Sequence, residues 1–526
     1  MTVELTRRDF LQGCVAGSGA LLVAACGGGS SGGPAATSGS SVALPANSHL
    51  APPDLPWTDH NIPLAYFKLP APFRATSGTP GAGGPLSEVT WFSDLFSAPP
   101  PPAPGNRYWA DLNRRLGVTV TPVWAASDPS SFQQKFAALL ASGDLPDLVL
   151  FGGTVGTTTA AAQVQAVQQG AFTDLTSHLT GSALDDYPNL ALIAPKIWQN
   201  ARINGRTYGV PRGRTVPGTS LLLRFDWAQK VGVPIAQITS SDTFREALVD
   251  FGSRDPDNNW RLNRDGTLTK DIETTEFREA IAFGQDLFKR GAFHPDAAAQ
   301  TLANHYSLFE GGRVGAYLDA LYASGQTRPF LAQLGFKDAI RHLLPPAGPG
   351  RKAVTFNAAG YNGMVMIPSK VGKDSGKVRQ LLKILDYFAS PFGSEEYTFL
   401  NYGIEGVHFT RSANGNPARN AQGTTDIGDL FRLLTPPNVN YAAGSQYFSD
   451  ADQEAWTRLV DQAYGYVSAS SLRRGPTLNQ LVVDSVKALV SGRTPMSGFN
   501  QFVQTWRSQG GDQVRKELQQ AIHQHR

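Results

Sequence analysis

Apolar and polar positions between residues 88 and 151 alternate with two periods, that of a strand and that of a helix. Short apolar runs predict three strands, at 89–92, 118–121 and 148–151. Between these runs the apolar residues recur at helical spacing. The order strand, helix, strand, helix, strand is typical of a parallel sheet with helices on both faces.

Two helices are predicted between these strands. The first begins after the capping residue Asn106, buries Trp109 and Leu116 on one face, and ends at Gly117. The second ends at Gly143. Its apolar face is formed by Phe132, Phe136, Leu139 and Leu140.

The alternation of strands and helices continues less regularly along the rest of the chain. The pattern predicts strands at 221–225 and 313–318, with an amphipathic helix at 275–290. From Asp452 onward the chain is predicted to be mainly helical. One face of the first C-terminal helix would carry Trp456, Leu459, Val460 and Ala463.

The first 26 residues predict where the protein works. The pair Arg7-Arg8 resembles a twin-arginine export signal. The apolar stretch 13–25 is too short for a bilayer, whose hydrocarbon core of ~30 Å needs about 20 residues. Small residues before Cys26 resemble a bacterial lipobox, which implies cleavage before Cys26 and lipidation of its thiol; the alternative is an uncleaved membrane anchor. Either way the chain is expected at the extracytoplasmic face of the bacterial cell membrane, lipid-anchored if the lipobox reading holds.

Composition narrows the chemistry of the mature protein. Of 526 residues, 41% are hydrophobic, which suffices for large cores, and the net charge is only +3 without a basic run. Nucleic-acid binding is therefore not expected, because phosphate neutralisation needs a concentrated basic face. Cys14 leaves with the signal and Cys26 carries the lipid, so no disulfide and no free thiolate are expected.

Residues 27–87 are predicted to form a flexible tether and strap. The segment opens with a Gly/Ser-rich linker. A more apolar, proline-containing piece follows, and we expect it to be an extended strap that packs partly on the body. A second Gly/Pro linker is predicted at 77–85.

No catalytic motif occurs in the structural setting that its chemistry needs. The G-x-S-x-G at 28–32 lies in the linker, without the strand and helix that a nucleophile elbow needs. Adjacent acids at 185–186 and 395–396 could suggest glycoside hydrolysis, but neighbouring acids usually splay apart and solvated helix ends are the simpler interpretation. The sequence therefore predicts a protein that is not an enzyme.

One stretch has the alternating oxygen ligands of a calcium loop. Asp255, Asp257 and Asn259 occupy the spacing of its first three ligands. Trp260 replaces the turn glycine and Gly266 replaces the bidentate glutamate. An acidic turn is the simpler interpretation, and neither a metal site nor a cofactor is expected.

Several motifs, in this order, resemble a known family of proteins. They are GDLPD at 143–147, NGRTYGVP at 204–211, LRFDW at 223–227, FEGGRVG at 309–315 and YGIEGVH at 402–408. The set is similar to the extracellular solute-binding proteins of ABC importers, in the carbohydrate-type family and its LipO-like and alginate-oligosaccharide-binding-like branch.

The resemblance implies an α/β fold of the two-lobed periplasmic-binding-protein type II (Venus-flytrap) class, with a helical C-terminal region. Lobe 1 would comprise 88–211 and 363–435, and lobe 2 would comprise 212–362 and 436–526. The chain would cross between lobes at these boundaries, and a ligand would bind in the cleft between them.

The resemblance and the strand ends together give the candidate ligand-binding residues. Sugar recognition uses aromatic faces for the ring and planar polar groups for its hydroxyls. The aromatic candidates are Trp91, Tyr322 and Tyr361, with core packing as the alternative for Trp91 and Tyr361. Arg212 could bind a hydroxyl or a uronate carboxylate. The hydroxyl acceptors would be Asp94, Asp319, Asn362 and Glu405, with a helix-terminus or hinge contact as the alternative for Glu405.

The resemblance implies a lipid-anchored substrate-binding subunit that delivers a carbohydrate, chiefly an oligosaccharide, to the transmembrane subunits of an ABC permease. It would act as a monomer and would need no cofactor. Three alternatives stay open at this point: the same fold with a peptide or small polar metabolite as ligand, a surface polysaccharide-active enzyme, and a structural or sensory lipoprotein.

Overall fold

The computed structural model describes most of the chain from residue 64 to residue 525. The described residues are 64–66, 68–95, 98–126, 129–155, 160–214, 219–230, 260–294, 308–309, 311–320, 340–343, 354–356, 359–413, 415–428, 433–434, 439–441, 457–459, 463 and 465–525. Cys26, the proposed calcium ligands Asp255, Asp257 and Asn259, and Tyr322 therefore lie outside the described residues.

The strands of the described residues are numbered in chain order. They are β1 Leu64–Tyr66, β2 Glu88–Leu95, β3 Thr119–Ala126, β4 Leu148–Phe151, β5 Gly209–Gly213, β6 Thr219–Arg224, β7 Trp260–Leu262, β8 Leu268–Lys270, β9 Ala316–Ala320, β10 Ile340–Leu343, β11 Val354–Phe356, β12 Tyr361–Met366, β13 Phe409–Arg411, β14 Pro417–Arg419, β15 Val439–Tyr441 and β16 Thr457–Leu459.

The α-helices are numbered in the same way. They are α1 Arg107–Leu116, α2 Pro129–Ser142, α3 Ala161–Gln168, α4 Pro195–Asn200, α5 Phe225–Lys230, α6 Thr275–Lys289, α7 Ser369–Gly372, α8 Ser375–Phe388, α9 Glu395–Tyr402, α10 Ala421–Ile427, α11 Ala469–Val490, α12 Phe499–Trp506 and α13 Asp512–His525. Within the described residues, no helix combines the length and the apolar character that a membrane crossing requires.

A five-stranded sheet forms the centre of the first half of the fold. Its strand order is β3-β2-β4-β12-β5. The pairs β2–β3 and β2–β4 are parallel, as predicted, whereas β12 runs antiparallel to both β4 and β5. Helices cover both faces of this sheet: Phe92 of β2 packs on Phe132 of α2, and Trp91 packs on Phe388 of α8.

The predicted helix boundaries in this region are confirmed, and local chemistry explains them. The Asn106 side chain accepts the N–H groups of Tyr108 and Trp109, which caps the first turn of α1. Gly117 ends the helix with a φ of 72°, a backbone conformation that favours glycine. Leu116 on the inner face is fully buried.

A second apolar core lies towards the C-terminus. Residues of β7, β8 and α6 pack there against the helices α11, α12 and α13. Phe277 and Ile281 of α6 are buried in this core, as the periodicity of 275–290 predicted. Another sheet, β10-β6-β9, is antiparallel throughout.

One part of the predicted C-terminal helical region is wrong. Residues 457–459 form strand β16, which pairs in parallel with β11. Leu459 therefore belongs to a strand and not to the face of a helix. Pairing with a strand about a hundred residues earlier outweighs a helical spacing that only four apolar residues had suggested.

The described residues before the first sheet, 64–66 and 68–86, are bound to the body. We call residues 64–86 the strap. Its β1 pairs with β15, and its other end contacts α8 through hydrogen bonds to Gln380. The stretch 77–85, predicted as a second linker, includes Gly81, whose N–H donates to the carbonyl of Leu116 over 2.7 Å.

A half-buried acid ties together the start of α11 and the middle of α13. Glu517 accepts hydrogen bonds from Ser468 Oγ (2.6 Å), from Ser470 N and Oγ (both 2.7 Å), and from Gln513. Burial raises the pKa of Glu517, but the bonds from Ser468, Gln513 and Ser470 outweigh it and lower the pKa to about 2. The ionised carboxylate thus stabilises the start of α11.

We expect acid to weaken this contact. Because the folded-state pKa of Glu517 is depressed, its contribution is fully present above the unfolded value of 4.5 and is lost as the pH falls towards 2. After a discount for partial exposure, the difference in unfolding free energy between pH 6 and pH 3 is about 1 kcal/mol. Urea denaturation at the two pH values measures this loss of unfolding free energy. The loss should be about 1 kcal/mol smaller in Glu517→Gln than in the natural protein. The control variant Asp484→Asn should lose as much as the natural protein. An equal acid sensitivity in Glu517→Gln would contradict the assignment.

Candidate functional site

The topology of the five-stranded sheet brings four predicted residues to one edge. Strands β2 and β4 are parallel, and β5 has the same direction because both β4 and β5 are antiparallel to β12. The carboxyl ends of β2, β4 and β5 and the amino end of β12 therefore lie at the same edge. Asp94, Arg212, Tyr361 and Asn362 stand at these strand ends.

An ion pair at the sheet edge joins β2 to β5. Arg212 Nη1 lies 3.2 Å from Asp94 Oδ1, and Arg212 Nε donates to the carbonyl of Asn362 over 2.8 Å. The side chain of Arg212 is 2% exposed and that of Asp94 13%. The guanidinium is thus held in one orientation from two sides.

A bulge in β12 presents Asn362 to solvent. The pairing register with β5 shifts between Tyr361 and Met364, and the Asn362 side chain is exposed while its neighbours are buried. Gly363 makes the bulge possible: its φ is 90°, and a Cβ there would lie 2.6 Å from the carbonyl oxygen of Phe151. The bulge therefore aims an amide away from the sheet at this edge.

Tyr361 lies behind this edge and is 3% exposed. Its hydroxyl accepts from Val155 N (2.9 Å) and donates to the carbonyl of Asn200 (3.3 Å). The hydroxyl of Thr154 donates to the carbonyl of Tyr361. This placement agrees with the core-packing alternative: Tyr361 holds the loop after β4 in position.

Trp91 is also inside the core. The indole is fully buried, and its ring meets Phe388 edge-on with centroids 5.0 Å apart. The sequence had placed Trp91 at the end of a strand at 89–92, but β2 continues to Leu95, so the residue is in mid-strand. Since side chains alternate along a strand, Trp91 and Asp94 also point to opposite faces of the sheet. The structure leaves no exposed indole face for stacking here.

Glu405 lies away from the ion pair at the sheet edge. Its side chain is 55% exposed and pairs with Arg411, whose Nε is 3.1 Å from Oε2. Both residues line an open groove of about 690 Å³ that α1 and α9 also border, and neither Asp94 nor Arg212 borders it. This location is closer to the alternative of a local contact than to ligand binding.

The side chains of two candidate residues are outside the described part of the chain, so nothing follows about their positions relative to the sheet edge. Asp319 is in β9, opposite Ser220 of β6, and its side chain is outside the described part. Tyr322 lies outside the described residues altogether. Among the residues that the structure describes, no group of three or more His, Cys, Asp or Glu could hold a metal ion.

The sequence missed polar residues that hold the strap. Glu396 was interpreted as a solvated acid, but it is 6% exposed and accepts N–H groups from Ala75 and Thr76. Gln380 was not singled out at all. The sequence did offer a signal for Gln380, because it is a polar residue on the apolar face of the amphipathic helix α8. An unpaired amide buried there would lower the stability of the fold, so a hydrogen-bonding partner was to be expected.

We expect Glu405→Gln to have little effect on folding. Exposed ion pairs contribute about 0–1 kcal/mol, so the unfolding free energy should change by less than about 1 kcal/mol. Affinity for any ligand at the sheet edge should also be unchanged, because Glu405 lines a groove that neither Asp94 nor Arg212 borders. Chemical denaturation and a ligand-induced thermal shift measure the two quantities. A lost ligand response with unchanged stability would place Glu405 in the binding site after all.

Curated proteins similar to this chain cover nearly all of it. Lipoprotein LipO of Bacillus subtilis (strain 168) is 24% identical over 507 residues, which is 87% of this chain and 96% of LipO. The polygalacturonan/rhamnogalacturonan-binding protein YtcQ of the same organism is 23% identical over 491 residues, with 85% and 94% covered.

Solved structures with the same fold are also found. The alginate-binding protein AlgQ2, in a crystal structure without calcium ion, matches with a TM-score of 0.57 at 16% identity, over 85% of this chain and 99% of that one. The N-glycan transport solute-binding protein NgtS from Streptococcus pneumoniae matches with a TM-score of 0.56 at 14% identity, over 83% of this chain and 98% of NgtS. The two-lobed α/β fold class predicted from the sequence is thereby confirmed.

The family assignment rests on a longer match than any single motif. The model of the bacterial extracellular solute-binding proteins matches residues 101–391, more than half of the chain. This range includes β3 and β4, which pair with β2, and also β5, β12 and the helix α8. The chain therefore belongs to the family of bacterial extracellular solute-binding proteins.

Proposed function

We propose that the protein is the substrate-binding subunit of an ABC importer and that it binds a carbohydrate, chiefly an oligosaccharide, between its two lobes. The proposal includes a lipid anchor at Cys26, which would keep the protein at the extracytoplasmic face of the cell membrane. It also includes delivery of the sugar to the transmembrane permease subunits, by a monomer that performs no chemistry on its ligand.

The observation that carries the proposal is the polar group at the carboxyl edge of the first sheet. Asp94, Arg212 and Asn362 meet there, in a protein whose family binds solutes. Ligands of α/β sheets bind beyond the carboxyl ends of the strands. The names of YtcQ, AlgQ2 and NgtS refer to polygalacturonan or rhamnogalacturonan, alginate and N-glycan, which favours a carbohydrate over a peptide.

The chemistry of this edge suits hydroxyl groups. A hydroxyl both donates and accepts, so it can bond to a carboxylate and to a guanidinium or amide at once. Within the described residues, Asp94 Oδ2 accepts no hydrogen bond, and the Asn362 amide is exposed. Because Asp94 already orients Arg212, these groups would meet a sugar without first reorganising.

Delivery requires only reversible binding. A micromolar dissociation constant corresponds to about −8 kcal/mol, which a few stacking contacts and a hydroxyl network can supply. No bond to the ligand is made or broken. The importer reading therefore needs no catalytic group and no cofactor in this cleft.

The test is a thermal-shift screen of the chain with Cys26→Ser, against neutral oligosaccharides, uronate oligosaccharides, monosaccharides and peptides. A ligand at 100 times its dissociation constant stabilises the folded state by about 2.7 kcal/mol. We expect a clear rise in melting temperature with one class of oligosaccharide, and no consumption of that sugar on incubation.

Two variants connect the result to the sheet edge. Asn362→Ala removes an exposed side chain and should weaken the sugar about tenfold, while the melting temperature without ligand stays unchanged. Glu405→Gln is the remote control and should bind normally. A shift with peptides alone, or turnover of the sugar, would overturn the carbohydrate-binding proposal.

A further inference from the structure

The strap is held at its C-terminal end by one buried amide. Gln380 of α8 is 4% exposed. Its Oε1 accepts from Leu86 N (2.8 Å), and its Nε2 donates to the carbonyls of Gly81 (2.7 Å) and Leu86 (2.8 Å). In the described part of the chain, all side-chain hydrogen bonds of Gln380 go to the backbone of the strap.

A buried carboxylate holds the middle of the strap. Glu396 in the first turn of α9 accepts from Ala75 N (2.9 Å) and Thr76 N (3.2 Å). If the strap left, the carboxylate would lose both donors at a site where it is 6% exposed. Burying an unpaired charge is costly, so the docked strap is the favoured state.

Apolar contacts fix the N-terminal end of the strap. Tyr66 packs on Phe392 with ring centroids 4.9 Å apart, and Leu69 is buried in the same cluster. At this end β1 pairs in parallel with β15. The strap therefore runs from α8 across α9 to β15, which belongs to neither the five-stranded nor the three-stranded sheet.

Strand β15 lies in a connection between the two cores. Leu434, five residues before it, is buried in the first core, and Ala463 is buried in the second. Between them, β16 pairs with β11. Within the described residues, β1 is the strand partner of β15.

We propose that the docked strap fastens the beginning of this connection to the first lobe and thereby sets the equilibrium between open and closed arrangements of the two lobes. Domain closure is absorbed by a few residues in the crossing segments. Pairing with β1 removes Val439–Tyr441 from the residues that can bend when the lobes move. The inference rests on the two-lobed fold and not on the identity of the ligand.

The strap also links the end of the chain that carries Cys26 to the connection between the lobes. Its N-terminal side continues towards Cys26, and its docked side contacts the connection between the lobes. A change at the tethered end that released β1 would therefore change the interlobe equilibrium without any contact with the ligand.

The experiment uses the whole chain with Cys14→Ser and Cys26→Ser, which leaves it free of cysteine. Two dyes are attached at Lys373→Cys, in the loop before α8, and Arg264→Cys, in the β7–β8 hairpin; both side chains are exposed. Single-molecule energy transfer without ligand then reports the distribution of interlobe distances, and hydrogen exchange reports the protection of residues 439–441.

The test variant replaces β1: Leu64→Gly, Ala65→Pro and Tyr66→Gly together. The matched control, Lys68→Gly with Arg74→Gly, changes two exposed side chains of the strap and leaves β1 intact. In the test variant we expect rapid exchange at 439–441 and a change of about fivefold in the ratio of the interlobe populations, from the loss of three cross-strand pairs. The control should match the natural chain in both measurements.

Two results would overturn the inference. Unchanged protection of 439–441 in the test variant means that β1 does not hold β15. Rapid exchange there, with an energy-transfer distribution that superimposes on that of the control, means that the strap holds β15 without setting the interlobe equilibrium. Far-ultraviolet circular dichroism of both variants checks that the lobes stay folded. Because no sugar is added, failure here is independent of failure of the carbohydrate proposal.

Discussion

Trp91→Ala should lower the unfolding free energy by about 3–5 kcal/mol, which makes it one of the two most damaging changes considered for this protein. The indole is fully buried between β2 and α8, so its removal loses the transfer free energy of a large ring and leaves a cavity. Urea denaturation followed by circular dichroism measures the change.

The same substitution decides between the two roles weighed for Trp91. If Trp91 is a core residue, Trp91→Ala should lose much stability. Trp91→Phe, which refills much of the space, should then bind the sugar normally. Trp124→Ala is the control: its ring in β3 is only partly buried, and the loss should be smaller. Normal stability of Trp91→Ala together with lost binding would restore the stacking role.

Arg212→Met should cost about 3–5 kcal/mol, because it leaves the carboxylate of Asp94 and the carbonyl of Asn362 without their donor in a nearly dry environment. The methionine keeps much of the volume, so packing contributes little to the loss. Binding of the sugar should also weaken at least tenfold, since Asp94 loses its orientation.

A second arginine–carboxylate pair provides a matched control. Arg74 pairs with Glu395 over 3.0 Å, but its side chain is 80% exposed. Arg74→Met should therefore change the unfolding free energy by less than about 1 kcal/mol. A double-mutant cycle with Asp94→Asn isolates the coupling of the buried pair. Equal effects of Arg212→Met and Arg74→Met would contradict the importance assigned to burial.

The pattern of apolar residues was sufficient for the elements that depend on local chemistry. The helix α1 was predicted with its cap at Asn106 and its end at Gly117, and the strand β4 with both of its bounds. These elements are determined within a dozen residues, by side-chain caps, a left-handed glycine and an unbroken apolar run. Long-range pairing has no such local signature, which is why β16 was predicted as helix.

The candidate site divides in the same way. Asp94, Arg212 and Asn362 were selected from strand ends and the family resemblance together, and the sheet brings them to one edge. Trp91 was selected on the same argument, but a strand three residues longer places it in mid-sheet. A short error in a strand's end is enough to exchange a candidate ligand contact for a core residue.

The sequence by itself determined the family and the alternation of strands and helices in the first lobe, and it singled out Asp94, Arg212 and Asn362 as candidates. Only the tertiary structure decided which of those side chains meet, because the ion pair of Arg212 with Asp94 joins residues 118 positions apart. It also decided that Gln380 and Glu396 hold the strap. A buried polar residue reveals its partner only when the chain that satisfies it is folded against it.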